Sequence, residues 1–304
     1  VRRPDRGDDL RLGSGQPVAG GRDLFLPGND VRLAATRWAG TGTPILLLHG
    51  LASQRRFWNL VARDLAGRPV CALDQRGHGD SDKPDEGYDL LTVASDAATA
   101  LDALGWSRAV VVGHSWGGAV AATLAAEHPE RVLAAVLIDG GFMSPPREEP
   151  REVVKERLAP PRFAVPPDDL PNVLREGPLK PWWNADVEDA VLPIFEVGDD
   201  GLARARLTFE RHMMVLDGLL DFDAETVLPR IVAPGWAVAA IGDDAWSRTK
   251  QEALDRAWNL LARPRAFALR GALHDVPLQW PALVAGVVRA AADEATPATS
   301  EGRA

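Results

Sequence analysis

Two styles of apolar patterning divide the chain. Residues 22–26 and 31–38 alternate apolar and polar side chains on either side of Pro27-Gly-Asn-Asp30. That alternation predicts an antiparallel hairpin with one solvated face. From residue 43 the runs become continuously apolar, at 43–48, 70–73, 109–112 and 132–138, as expected of strands buried on both faces. Helical stretches fall between them. Residues 57–65 form one, and 92–104 another, with Val93, Ala97, Ala100, Leu101 and Leu104 on one face. The alanine-rich run 119–126 forms a third. Strands alternating with helices predict a mostly parallel, doubly wound sheet with helices on both faces, an α/β architecture.

After Phe142 the alternation stops. Ten prolines lie between Pro145 and Pro181, too many for a sheet core. Short helices are expected at about 148–158 and 187–196, and a longer one at 202–219. The α/β pattern resumes with an apolar strand at 235–241, a helix at 245–261, a strand at 265–269 and a last helix from 281 to 292. This gives a core of 22–141 and 231–292, interrupted by a helical insertion at 142–230. The polar ends, 1–21 and 293–304, are expected to be disordered. No internal repeat is visible.

Composition narrows the partners. Acidic residues exceed basic ones, 43 to 34, for a net charge of −9, so no basic face is offered to nucleic acid or anionic lipid. The single cysteine, Cys71, rules out an internal disulfide and lies in an apolar run. No stretch reaches the ~20 apolar residues of a membrane span, and residues 1–9 lack the apolar region of a signal peptide. The expectation is a cytoplasmic protein, monomer or homodimer, acting on a small molecule. The aspartates of 74–85 are too poor in histidine to suggest a metal site. The glycines at 113–118 do not make a dinucleotide fingerprint, so neither metal nor cofactor is expected.

The candidate chemistry sits at Gly113-His-Ser115-Trp-Gly117-Gly118. A β-branched run stops at the first glycine and a helical run begins just beyond the serine, the context that makes Gly-x-Ser-x-Gly informative. A turn this sharp strains Ser115 and needs side chains missing two residues before and after it, so that strand and helix can close. The hydroxyl then stands above the sheet beside the positive end of the helix.

With His49-Gly50 after the first buried strand, Asp74-Gln-Arg-Gly-His-Gly-Asp-Ser-Asp-Lys-Pro84, the Ser115 turn and Gly271-Ala-Leu-His274-Asp-Val-Pro277, residues 22–292 resemble a capped α/β-hydrolase, of the epoxide-hydrolase-like and esterase or lactonase kind. The resemblance implies Ser115 as nucleophile and His274 as its base. It implies oxyanion donors on the backbone of Leu51 and Trp116, with His49 bracing the Leu51 loop. The triad acid has three candidates. Relatives usually carry it past the strand that follows the cap, here Asp243 or Asp244, although this loop is shorter than the family pattern. Others take it from the strand after the nucleophile helix, where Asp139 stands.

Relatives that open epoxides or remove halides carry an aspartate at the elbow, whereas this chain has serine. The reaction expected is therefore acyl transfer on an ester or lactone of a mainly apolar small molecule. C–C bond hydrolysis, a biosynthetic enzyme and a ligand receptor on the same scaffold are the alternatives. Specificity is expected from the insertion. Trp182, Trp183, Phe195, Phe209, Met213 and Met214 would form an apolar ceiling over Ser115, with Arg206, Arg211 and His212 as candidates to touch substrate.

Overall fold

The structure is a computed structural model and describes residues 20–296 apart from 163 and 244. The elements run β1 (Gly21–Pro27), β2 (Arg32–Trp38), β3 (Ile45–Leu48), α1 (Asn59–Asp64), β4 (Val70–Leu73), α2 (Leu90–Ala103), β5 (Ala109–His114), α3 (Trp116–Glu127) and β6 (Val132–Ile138). Then come α4 (Arg151–Leu158), α5 (Leu170–Arg175), α6 (Ala185–Val191), β7 (Phe195–Val197), β8 (Ala203–Ala205), α7 (Phe209–Leu220) and α8 (Ala224–Val227). The chain closes with β9 (Gly235–Ile241), α9 (Ala245–Leu260), β10 (Pro264–Arg270), α10 (Val276–Gln279) and α11 (Pro281–Ala295).

Eight strands form one sheet in the order β1-β2-β4-β3-β5-β6-β9-β10. The β1–β2 hairpin is antiparallel and β2 pairs antiparallel with β4; all remaining neighbours are parallel. The period of two along each strand sorts the apolar side chains to opposite faces. Leu46, Leu48 and Val111 join the layer under α2, α3 and α9, while Ile45, Leu47, Val110 and Val112 join the layer under α1 and α11. Both faces are covered, which is why these strands read as unbroken apolar runs. Helix α3 is buried from Trp116 to Ala126. Its small alanines let it lie close to the sheet below β5.

The segment between β6 and β9 has its own small apolar cluster of Leu170, Leu192, Phe195 and Ala203. A longer helix was expected from 202. Instead residues 203–205 pair antiparallel with 195–197, and α7 begins at Phe209 behind a Thr208 cap that accepts from the Arg211 amide. Three-residue strands are too short to show a period. Of the ends expected to be disordered, 1–19 and 297–304 lie outside the described residues, and α11 continues to Ala295. Among the described residues no helix is long and apolar enough to cross a membrane.

Candidate active site

The turn from β5 to α3 holds Ser115 at φ 54°, ψ −121°, a region that L-residues with a Cβ rarely adopt. The glycines around it are sterically required. A Cβ on Gly113 would lie 2.0 Å from the Gly117 carbonyl oxygen, and one on Gly117 would lie 2.4 Å from the carbonyl oxygens of Leu48 and His49. The strained residue is fixed by the Ser115 amide, which donates to the Ile138 carbonyl at 2.9 Å. Trp116 carries the first amide of α3, which has no carbonyl partner one turn back within the helix.

Opposite the serine lies the loop after β10. His274 Nδ1 and Asp139 Oδ2 are 2.6 Å apart, so the carboxylate selects the Nδ1–H tautomer and leaves Nε2 free to accept a proton. The imidazole is half exposed, at 52% of its side-chain surface, while Asp139 is fully enclosed. Burial opposes charge on the His274 ring, but the hydrogen bond and charge of Asp139 outweigh it and hold its pKa above the ordinary 6.5. Asp139 moves the other way. Burial raises its pKa, yet His274 and Lys250 together bring it below the usual carboxylate range. The loop carrying His274 is clamped from two sides. The Gln279 side chain accepts from the Leu273 amide at 2.6 Å and donates to the Gly271 carbonyl at 3.1 Å. His114 Nε2 meets the His274 carbonyl at 2.8 Å.

The carboxylate that meets His274 is Asp139, at the end of β6, in a left-handed backbone conformation with φ 47°. Of the two candidates at the end of β9, Asp243 is exposed to solvent, and Asp244 lies outside the described residues. Lys250, on α9, is a partner that the sequence did not reveal. Its ammonium lies 2.6 Å from the same Asp139 oxygen that His274 meets, and 3.1 Å from the Ala240 carbonyl. Nothing in the sequence near Lys250 points to a carboxylate 111 positions away.

The loop after β3 is braced by buried histidines. His49 Nε2 accepts from the Gln75 amide at 3.1 Å, so its Nδ1–H donates to the Gly50 carbonyl at 2.8 Å. A trans peptide points its N–H opposite to its C=O, so this bond also fixes the direction of the Leu51 N–H. The Gly50 backbone lies against Ser115, where an added Cβ would meet the serine Cβ at 3.1 Å. His78 Nε2 accepts from the Ala52 amide at 3.2 Å, and its ring stacks on Trp116 at 5.2 Å. Burial pushes His49 down to about 4 and His78 and His114 to about 3, so all three remain neutral hydrogen-bonding fixtures at neutral pH. The 74–84 stretch, read from sequence only as a turn-rich loop, supplies this bracing through Gln75 and His78.

Ser115, Trp116, Asp139, Lys250 and His274 all line one cavity of about 590 Å³. Its apolar walls are Met143, Pro145, Pro146, Leu158, Leu219 and Trp246. The expected ceiling is different. Trp182 and Trp183 border surface depressions beside Leu60, Arg63 and Glu188, and Trp183 Nε1 donates to Glu188 at 3.0 Å. Phe195 belongs to the small cluster of its own segment. Phe209 lies beneath the Arg162 guanidinium. His212 is buried in α7, and neither it nor Met213 or Met214 is among the residues lining the Ser115 cavity. Arg206 pairs with Asp80 at 2.8 Å, and Arg211 donates to the Lys83 carbonyl at 3.0 Å, so both dock the segment onto the 74–85 loop. Prolines and short helices leave no periodicity from which these orientations follow.

A strained serine between β5 and α3, an imidazole after the last strand and a carboxylate after β6 sit on an eight-stranded, mostly parallel sheet. The fold is that of an α/β-hydrolase. The family model described as "alpha/beta hydrolase fold" matches residues 43–165, which includes Ser115 and Asp139. Among solved structures, the chain superposes on E-2-(acetamidomethylene)succinate hydrolase with TM-score 0.75 at 22% identity, covering 90% of this chain and 99% of that one. It superposes on the enol-lactonase from Burkholderia xenovorans LB400 with TM-score 0.65 at 17% identity, covering 88% and 99%. In sequence it is 37% identical over 121 residues to bifunctional epoxide hydrolase 2 of Sus scrofa, 38% of this chain and 22% of that protein. It is 38% identical over 104 residues to 2-(acetamidomethylene)succinate hydrolase of Mesorhizobium japonicum, 34% of this chain and 37% of that protein. The matched segment thus spans about a fifth to a third of the first curated relatives' own length.

Proposed function

We propose that this protein is a serine hydrolase that cleaves an ester or lactone of a small, mainly apolar molecule through an acyl-enzyme. The observation that carries this reading is the 2.6 Å His274–Asp139 contact in the same cavity as the strained Ser115. His274 Nε2 takes the Ser115 proton as the serine oxygen attacks the substrate carbonyl, while Asp139 stabilises the resulting imidazolium. The oxyanion develops between the Trp116 and Leu51 amides, the first at the positive end of α3, the second directed by His49. Collapse of the tetrahedral adduct expels the alcohol, which takes the proton from His274. Water, deprotonated by the same imidazole, then releases the acid.

Serine also distinguishes this chemistry from epoxide opening. Attack of a serine hydroxyl on an epoxide leaves an ether, which water does not hydrolyse; attack on a carbonyl leaves an ester, which it does. A cavity of about 590 Å³ lies within the ~300–1,000 Å³ usual for small-molecule sites, and its apolar walls suit an uncharged acyl or alkyl group. The segment at 142–230 acts as a cap, contributing Met143, Leu158 and Leu219 to those walls.

The test is turnover of chromogenic short-chain esters and small lactones by wild type and Ser115→Ala. Wild-type turnover that falls at least about a thousand-fold in the variant is expected. A protein inert to these substrates yet stabilised by a small ligand would instead favour a receptor on this scaffold.

A further inference from the structure

Asp139 bonds to more than the imidazole. Its Oδ1 accepts from the Ala240 amide at 2.9 Å, and its Oδ2 lies 2.6 Å from both Lys250 Nζ and His274 Nδ1. Lys250 is itself buried, with 10% of its side chain exposed, and its second anchor is the Ala240 carbonyl at 3.1 Å. An ammonium is costly to bury, and it is held here only because a carboxylate and a carbonyl face it. The ammonium and the imidazole N–H therefore draw on a single carboxylate oxygen.

We infer that Lys250 is a positioning residue that partly neutralises Asp139 and so keeps the His274 base unprotonated to lower pH than a lone aspartate partner would. The inference rests on the hydrolase reading above, because it assigns Asp139 and His274 the roles given there. The groups that face this pair are His114 from β5, Asp275 beside His274 in the loop, and Lys250 from α9; Glu149 and Arg157 line the same cavity, paired with each other at 2.7 Å. His114 is neutral, with a pKa near 3. Asp275 favours protonated His274, and Lys250 opposes it. Lys250 is thus the cation in contact with Asp139 that works against the imidazolium. Its ammonium also fixes the carboxylate orientation, since the Ala240 residue that donates to Oδ1 accepts from Lys250.

The experiment measures the His274 midpoint in two ways: NMR titration of the imidazole in the resting protein, and the acid limb of kcat/KM for a chromogenic ester. In Lys250→Met both midpoints should rise by about one pH unit, while Lys250→Arg, which keeps the charge, stays near wild type. Lys250→Gln, smaller and polar, should rise like Lys250→Met and serves if that variant folds poorly. A purely structural lysine would lower the rate plateau without moving either midpoint, and that result overturns the inference. So does a midpoint that moves down. The NMR arm needs no turnover. An inactive wild type with a shifted NMR midpoint would sink the hydrolase reading while leaving the electrostatic role of Lys250 intact.

Discussion

At the scale of single residues, the competition for a carboxylate partner of His274 is decided by reach. Asp139 is held at the end of β6 in a left-handed conformation and meets Nδ1 directly, whereas Asp243 is in solvent. Asp139→Asn leaves the buried Lys250 ammonium without its carboxylate, so a lowered unfolding midpoint is expected alongside the kinetic effect. It should lower kcat by about 10³–10⁴, because the amide cannot stabilise the imidazolium and permits the wrong tautomer. Asp243→Ala should leave kcat within about two-fold, as surface changes usually do. Steady-state kinetics on one chromogenic ester compares the two. A large loss with Asp243→Ala and none with Asp139→Asn would reverse the assignment. Ser115 could be read from sequence because Gly-x-Ser-x-Gly records a steric condition within five positions. Asp139 could not be singled out, since the choice depends on which loop approaches the imidazole across 135 positions. Lys250 left no trace because a lysine in a helix is ordinary until its tertiary partner is known.

Among the elements, the start of α3 lies tightly against the end of β3. The carbonyls of Leu48 and His49 lie where a Cβ on Gly117 would be, at 2.4 Å. Backbone cannot yield as a flexible side chain does. Gly117→Ala should therefore cost about 3 kcal/mol of stability, at the upper end of ordinary overpacking. Urea unfolding at neutral pH measures this as a lowered midpoint, and an unchanged midpoint would mean that α3 and β3 are looser than described. The strands and helices of the core were legible because burial on two faces leaves continuous apolar runs, as at 45–48 and 132–138. The 142–230 segment was legible only as an interruption. Its prolines announced the loss of sheet, but β7 and β8 are three residues each. The side of each short helix that faces Ser115 depends on docking contacts such as Arg206 with Asp80, and local pattern does not encode these. The sequence led to Trp182 and Trp183 as walls because they are large and apolar. The structure uses Met143, Leu158, Leu219 and Trp246 instead.

For the whole molecule, burial of neutral histidines sets the response to acid. His49 and His212 have pKa values near 4, and His78 and His114 near 3, all lowered first by burial. In the unfolded chain each titrates near 6.5. Their depressed folded values mean that their contribution is fully present above pH 6.5 and is lost as pH falls toward 4, where the unfolded chain binds protons that the native one refuses. Each histidine steepens the loss by up to about 1.4 kcal/mol per pH unit in that window. His274 has the opposite sign. Its raised value makes its pairing stabilising below about 6.5, and that contribution fades as pH rises through its folded value. The four depressed histidines outweigh it, so unfolding free energy should fall steeply between pH 6 and 4.5. Urea unfolding at half-unit pH steps reads the slope directly; a flat profile through that window would show that these rings are accessible to protons in the folded protein.

The central claim is a serine oxygen at position 115 made nucleophilic by the imidazole at position 274. Its most direct measurement is intact-mass and peptide-mass analysis after exposure to a fluorophosphonate. The account predicts a single adduct on Ser115, absent from Ser115→Ala and formed at least about a hundred-fold more slowly in His274→Ala. No adduct on Ser115, or one formed equally fast without the imidazole, would contradict it.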